Sequence, residues 1–194
     1  MKKKEREGHT VEKYRLKSRI MDGDMIDRAM RRLSHEIVER NKGAKDIILV
    51  GIYRRGVSMA HRLAAEIKKV EGRTVPVGVL DVTYYRDDLS HSNIRLTEGV
   101  TDIPFDINKR TIILVDDVIC TGRTVRAAID GLFRLGRPKK IQLAVMIDRG
   151  LRELPLRADF VGKNIPTSHS EAVSVKFAEY DGENAVDILE MEES

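Results

Sequence analysis

Five consecutive β-branched or aliphatic residues at positions 111–115 constrain the fold of this chain more than any other feature. Apolar residues then return at helical spacing at Val125, Ala128, Ile129 and Leu132. A continuous apolar run followed by helical periodicity predicts a strand buried on both faces, a short loop and a helix. Because strands of this kind occur in parallel sheets covered by helices, the pattern predicts an α/β fold.

The loop after this run contains residue types that bind phosphate. Thr121 and Thr124 supply hydroxyl groups, and Gly122 allows the backbone to approach a ligand closely. The first backbone N–H groups of the following helix also point toward an anion, because they have no partner within the helix. Together with Arg123, the loop is predicted to form an anion site.

Asp116 and Asp117 lie between the apolar run and this loop. Carboxylates repel a phosphate unless a sugar or a metal ion lies between them, so phosphate is not the whole ligand. Adjacent residues at a strand end point to opposite sides, so we expect the two to hold a sugar diol, directly or through Mg²⁺ and water, rather than to share a proton. The combination predicts a ribose phosphate site. An acidic turn that caps an ordinary helix is the alternative.

Residues 113–124 resemble the phosphoribosyl pyrophosphate (PRPP) motif of the type I phosphoribosyltransferases. Over about residues 24–190 the chain also resembles the pyrimidine operon attenuation regulators that double as uracil phosphoribosyltransferases. The resemblance implies an α/β fold, with a mostly parallel central sheet flanked by helices and a small hood. It also implies a homo-oligomer that uses Mg²⁺ to convert uracil and PRPP into UMP and pyrophosphate, and that binds the leader mRNA of a pyrimidine operon when UMP is present. The matching segments are residues 50–56, 84–89, 148–150 and 162–168.

The resemblance assigns roles to individual residues. Arg55 and Gly56, at the predicted start of a second helix, match the pyrophosphate loop. Arg86 lies on a long polar excursion that matches a lid closing over PRPP, with its guanidinium toward the leaving pyrophosphate. Arg86, Asp116 and Asp117 are therefore the predicted catalytic residues. The predicted PRPP-binding residues are Arg55, Gly56, Asp116, Asp117, Cys120, Thr121, Gly122, Arg123 and Thr124.

Phe160 and Val161 match a segment in which a ring stacks on the base and the next residue's backbone reads its edge. A core phenylalanine is the alternative for Phe160. A purine phosphoribosyltransferase acting on hypoxanthine or guanine is the nearest alternative enzyme. In the purine enzymes that this chain resembles, the position that matches Cys120 is an aspartate suited to proton exchange with the purine. A thiol is a poor substitute for that aspartate, so Cys120 favours uracil as the base. An RNA-binding regulator with little catalysis is the third alternative.

Two basic groups match the RNA-binding surface that the resemblance implies. The first lies on one face of a helix predicted for residues 24–41, where positions three and four apart are neighbours. The second lies in the predicted hood. A solvated helix face is the alternative, and Arg31, Arg54 and Leu151 depart from the pattern of the family. The predicted RNA-binding residues are Arg28, Arg32, His35, Arg152, Arg157 and Lys163.

Charge is unevenly distributed along the 194 residues. Residues 1–19 contain eight Lys or Arg and three Glu, a net charge of +5, which leaves the rest of the chain at −1 of the total of +4. We predict that residues 1–19 form a disordered basic extension. Residues 20–194 are predicted to form a single phosphoribosyltransferase domain with a hood built mainly from residues 151–194.

The single cysteine, Cys120, excludes an internal disulfide and a cysteine-based metal site. No run suits a membrane span or a secretory signal, so we expect a cytoplasmic protein that has no membrane partner. We expect no metal ligated mainly by the protein. Mg²⁺ would be bound largely through PRPP, and Asp116 and Asp117 are the side chains that would contact it.

Overall fold

A computed structural model of the chain describes residues 14–83 and 100–192. Five parallel strands form the central sheet, in the order β3-β2-β4-β5-β6. The bounds of these strands are Ile47–Ile52 (β2), Val77–Leu80 (β3), Thr111–Ile119 (β4), Lys140–Asp148 (β5) and Phe160–Asn164 (β6).

The predicted central strand lies at the centre of the sheet. β4 pairs in parallel with β2 on one side and with β5 on the other. All six residues of β2 and residues 112–116 of β4 are buried. Helices cover both faces of the sheet, which explains why these strands are apolar without alternation.

Three long helices supply that cover: α1 (Gly23–Arg40), α2 (Arg55–Glu71) and α3 (Arg123–Leu135). α1 and α2 pack on one face, in a core cluster that includes Ile47, Leu49 and Ile113. α3 packs on the opposite face with Ile48 and Leu114. The predicted fold class is therefore confirmed. None of the helices in the described parts of the chain is long and apolar enough to span a membrane.

The hood is a small antiparallel sheet with the strand order β1-β8-β7. Its elements are β1 (Tyr14–Met21), β7 (Glu171–Lys176), the short helix α4 (Ala178–Asp181) and β8 (Ala185–Met191). Residues 160–164, which the sequence analysis placed in the hood, instead form the edge strand of the central sheet, paired with β5.

The predicted domain boundary at residue 19 is wrong, because β1 already begins at Tyr14 and pairs with β8. Arg15 contacts Glu190 at 3.0 Å, and Lys17 contacts Glu171 at 2.8 Å. Arg19 donates from Nε to Asp187 at 2.9 Å. The basic residues that suggested disorder are thus partners of acidic residues on β7 and β8, 154 to 175 residues away. Residues 1–13 lie outside the described residues.

Two glycines bring the carboxyl ends of β2 and β4 against the start of α2. A Cβ on Gly56 would lie 2.5 Å from the carbonyl oxygen of Val115, and one on Gly51 would lie 2.5 Å from the Cα of Val57. Neither position has room for a side chain. The N-terminus of α2 therefore lies directly beside Val115 and Asp116 of β4.

Candidate functional site

A cleft of about 420 Å³ opens at the carboxyl ends of β2 and β4. Parallel α/β sheets bind ligands at this edge. The cleft brings together parts of both predicted loops: Arg55 from the first, and Asp116, Asp117 and Thr124 from the second. Its remaining lining residues are Ile52, Tyr53, Arg54, Val82, Thr83 and Val118. The sequence analysis missed Tyr53 and Thr83, which have no motif of their own.

The two aspartates interact with each other, contrary to the expectation that they point apart. Burial raises the pKa of the Asp117 carboxyl, while a hydrogen bond with Asp116 and the positive charge of Arg55 oppose that shift. The backbone also participates, since Asp117 N donates to Asp116 Oδ1 at 3.0 Å and Val118 N donates to Asp117 Oδ1 at 3.0 Å. β4 therefore carries two adjacent carboxyl groups near its carboxyl end, and burial makes that of Asp117 harder to ionise than a free aspartate.

The loop at residues 120–124 turns sharply into α3 and is held by a neighbouring segment. Gly122 precedes the first turn of α3 with φ of 92°, a conformation that favours glycine. The segment after β5 holds this loop, because Glu153 N and Leu154 N both donate to the carbonyl oxygen of Thr121, at 3.0 and 3.1 Å. Arg123 donates from Nε to Glu153 at 2.7 Å, which directs its side chain along this support.

Arg55 is fixed at the wall of the cleft by the hood. Its Nε and Nη2 donate to the two carboxylate oxygens of Asp181, at 3.1 and 2.7 Å. The guanidinium lies 5.7 Å from the ring centroid of Tyr180, and it carries its charge toward Asp117. The neighbouring Arg54 donates to the Tyr180 hydroxyl at 2.7 Å. α4 therefore holds both arginines of the α2 loop, which no local sequence pattern indicates.

The arrangement of two helix N-termini around paired carboxylates agrees with comparisons to known proteins. The model of the phosphoribosyl transferase domain family matches residues 18–179. The bifunctional protein PyrR of Pelotomaculum thermopropionicum is 59% identical over 179 residues, which cover 92% of this chain and 99% of that protein. PyrR of Thermus thermophilus is 56% identical over 178 residues, which cover 92% and 98% of the two chains.

The chain belongs to the PyrR family of phosphoribosyltransferases. Among solved structures, the hypoxanthine phosphoribosyltransferase of Trypanosoma cruzi matches with a TM-score of 0.70 at 18% identity. That match covers 91% of this chain and 98% of the other. At this identity the likeness shows the fold alone.

Within this PyrR-family fold, the predicted base-binding role of Phe160 is wrong. Its ring is 2% exposed and belongs to the core between the sheet and α1. The guanidinium of Arg40 lies 5.5 Å from the ring centroid. Phe160 is also the first residue of β6, away from the carboxyl ends of the strands. A ring enclosed in this way has no face for a base, so the alternative of a core phenylalanine holds.

Val161 lies next to Phe160 on the edge strand, and its carbonyl oxygen is already occupied. Arg32 donates from Nη2 to the carbonyl oxygens of Val161 and Gly162, at 3.0 and 2.7 Å. The same guanidinium contacts Glu36 at 2.6 Å. Arg32 therefore attaches α1 to β6. An RNA phosphate that binds Arg32 would have to compete with these three acceptors for its N–H groups.

The predicted RNA-binding role of Arg152 is also contradicted, because this guanidinium is directed inward. Its Nη1 donates to the carbonyl oxygens of Cys120 and Gly150, at 2.6 and 3.0 Å. Its Nε donates to Leu156 O at 2.9 Å, and its Nη2 contacts Asp148 at 2.5 Å. Arg152 thus links the loop at residues 120–124 to the end of β5. The half-buried Cys120 contributes its carbonyl oxygen to that link.

The other predicted RNA-binding residues lie at the surface. Arg28 and His35 are exposed on α1, together with Arg31, and Arg157 is exposed before β6. Lys163, on β6, is half-buried. The predicted lid residue Arg86 and the adjacent Asp87 and Asp88 lie outside the described residues.

Proposed function

We propose that this chain is a uracil phosphoribosyltransferase. The observation that supports this most strongly is the cleft in which Asp116, Asp117 and Thr124 face Arg55 across the ends of two parallel strands. In the reaction, a uracil ring nitrogen forms a bond to the ribose C1, the bond from C1 to the pyrophosphate oxygen breaks, and the ring nitrogen loses its proton. Such a reaction needs positioning and charge stabilisation more than a nucleophile from the protein.

Each side of the cleft has a separate task in this proposal. The 5′-phosphate lies on the N-terminus of α3, against Thr121, Gly122 and Thr124, where the first N–H groups of the helix point outward. The pyrophosphate lies at the N-terminus of α2, with Arg55 beside it. The carboxylates of Asp116 and Asp117 accept hydrogen bonds from the ribose hydroxyls. The base then lies toward the carboxyl ends of β5 and β6 rather than at Phe160.

The donor set suits Mg²⁺ as the cofactor. Mg²⁺ binds oxygen ligands and is commonly held by one or two carboxylates together with substrate phosphates. The cleft offers the two adjacent carboxyl groups, and because burial raises the pKa of Asp117, a cation beside it would favour the ionised form. Asp116 and Asp117 would hold the ion, which would neutralise charge on the departing pyrophosphate. No cluster of three or more metal-binding side chains occurs among residues 14–83 and 100–192.

The test is a comparison of bases with one enzyme preparation. The protein is incubated with PRPP and Mg²⁺ and with uracil, hypoxanthine or guanine in turn, and nucleotide formation is followed by chromatography. We expect UMP from uracil and little product from either purine. Asp116→Asn with Asp117→Asn serves as the inactive control. Preferred turnover of hypoxanthine or guanine would refute the assignment.

We propose in addition that the chain binds the leader mRNA of a pyrimidine operon in a UMP-dependent way. The names of the relatives describe those proteins as bifunctional. The exposed basic face of α1, with Arg28, Arg31 and His35, supports a second role for this chain. Contacts to phosphates make the logarithm of affinity fall linearly with the logarithm of salt concentration. Arg28→Gln with His35→Gln should reduce that slope without changing UMP formation.

The family resemblance also supports a homo-oligomer that acts in the cytoplasm. Light scattering coupled to size-exclusion chromatography measures the mass in solution directly. A mass of 22.0 kDa, that of a single chain, would contradict the oligomer.

A further inference from the structure

A second cavity lies at the edge of the sheet opposite the catalytic cleft. It has a volume of about 380 Å³ and is bounded by the amino ends of β2, β4 and β5 and by the end of α1. Four lysines line it, Lys42, Lys45, Lys139 and Lys140, and we call it the lysine pocket. Substrates of parallel α/β proteins bind at the carboxyl ends of the strands, so catalysis does not account for this cavity.

The positive charge of the lysine pocket is not neutralised by the protein. Within the described residues, none of the four lysines has a carboxylate within ion-pair distance. Asp46 also lines the pocket, but its contact is with Arg110 at 3.8 Å and its side chain is 69% exposed. Like charges that share a concave surface repel one another and concentrate anions there.

Hydrogen bonds fix the backbone around the lysine pocket, while its four lysine side chains are exposed. Lys42 has φ of 57° and Gly43 has φ of 106°, which turns the chain sharply after α1. Gly43 N donates to Val38 O at 2.9 Å, and Lys139 N donates to Arg110 O at 2.9 Å. A lysine at positive φ is uncommon and is retained where the surrounding structure fixes it. The backbone that carries Lys42 and Lys139 is therefore fixed at the rim of the pocket.

The lysine pocket continues the basic surface of α1. Arg40, the last residue of α1, lines the pocket and contacts Asp159 at 3.0 Å. Arg28 lies on the same helix, roughly 18 Å away along its axis at 1.5 Å per residue. Cationic side chains thus lie at intervals from Arg28 to the amino edge of the sheet, with Glu36 and Glu39 between His35 and Arg40. An extended polyanion fits this arrangement better than a small molecule fits either part alone.

We propose that the lysine pocket binds backbone phosphates of RNA and extends the RNA contact beyond α1. This inference rests on the proposed RNA-binding function. The ligand groups are phosphates rather than bases, because four flexible ammonium groups present point charges without a fixed donor pattern. The pocket therefore contributes affinity and register but no sequence selectivity.

The experiment compares salt dependence in three full-length proteins. Lys42→Gln with Lys45→Gln removes two positive charges from the pocket. Arg126→Gln with Arg134→Gln removes two from α3, on the opposite face of the sheet, and is the matched control. Binding of a pyrimidine operon leader RNA with UMP present is measured from low to high salt. Each lost phosphate contact should reduce the slope by about 0.7 to 0.9, so the lysine variant should lose about 1.4 to 1.8.

The control variant should keep the wild-type slope, and all three proteins should form UMP at the same rate. The pocket assignment is overturned if the lysine variant keeps the wild-type slope, or if both variants lose slope equally, which would indicate a general effect of net charge. Arg28→Gln with His35→Gln separates the two proposals. A reduced slope in that variant, with an unchanged slope in the lysine variant, refutes the pocket and leaves the α1 surface supported. No specific RNA binding by the wild-type protein refutes both.

Discussion

Replacing Asp181 with Asn tests whether the hood positions Arg55 for PRPP. The change keeps the shape of the side chain but removes the charge that accepts two hydrogen bonds from the guanidinium. An ion pair at 4 Å is worth about 4 kcal/mol at an effective dielectric constant of 20. The Arg55 side chain is 37% exposed and that of Asp181 13%, so solvent screens much of this energy.

We therefore expect Asp181→Asn to lower the free energy of unfolding by about 1.5 kcal/mol, which corresponds to a fall in Tm of about 3 to 6 °C. The larger effect should be on substrate. Asp117 is the other carboxylate that attracts Arg55, so the released guanidinium should turn toward it and away from the pyrophosphate position. KM for PRPP should rise on the order of 10-fold, the equivalent of about 1.4 kcal/mol, with KM for uracil nearly unchanged.

Glu179→Gln is the matched control, because Glu179 lies on the same short helix and forms an equivalent pair. Arg62 donates to its two carboxylate oxygens, both at 2.7 Å, but Arg62 lies in the groove between α1 and α2 and not in the cleft. Both variants should lose stability, and Asp181→Asn alone should raise KM for PRPP. Equal KM values for PRPP in the two variants would show that Asp181 only stabilises the fold.

Three further predictions address the cleft, the lid and the hood. Asp116→Asn with Asp117→Asn should abolish PRPP binding measured by calorimetry while thermal unfolding stays cooperative; native affinity would refute the ribose assignment. Arg86→Ala should lower kcat on the order of 10²-fold with little change in KM for uracil, and unchanged turnover would leave the lid without a catalytic role. A hydrogen bond from Lys17 and one from the Ser168 backbone lower the pKa of Glu171 from 4.5 to about 2. Because the pKa of Glu171 is lower in the folded state than in the unfolded state, the stability from this carboxylate is present above about pH 4.5 and is lost as pH falls toward 2. Glu171→Gln should therefore flatten the dependence of the free energy of unfolding on pH in that range. An unchanged dependence would contradict the assignment.

The parts of the cleft that could be foreseen from the sequence depend on residues close together in the chain. An apolar run, two aspartates and a glycine loop determine a strand, its end and a helix start within about twenty residues. Parallel pairing then requires that β2 and β4 present their loops at the same edge. Arg55 could be placed at the same edge as Asp116 and Asp117 for this reason, without knowledge of any tertiary contact.

The errors share a different cause, which is a partner far away in the sequence. β1 is an exposed basic strand whose order depends on acidic residues of β7 and β8. Phe160 has the residue type of a stacking platform, but the position of α1 decides that it is enclosed. Charge and hydrophobicity of a segment alone do not distinguish these cases, because the deciding group lies more than 100 residues away.

The arginines show that distant partners decide which function a residue of one type can have. Arg32 and Arg152 donate to backbone carbonyl oxygens, so their donors are used even though their charge remains. Arg28 is exposed on α1. A phosphate that approaches Arg152 would have to replace acceptors in the loop at residues 120–124. RNA binding there would therefore disturb the proposed catalytic site. Separate sets of arginines for loop support and for surface contact allow one small domain to carry both proposed functions without that conflict.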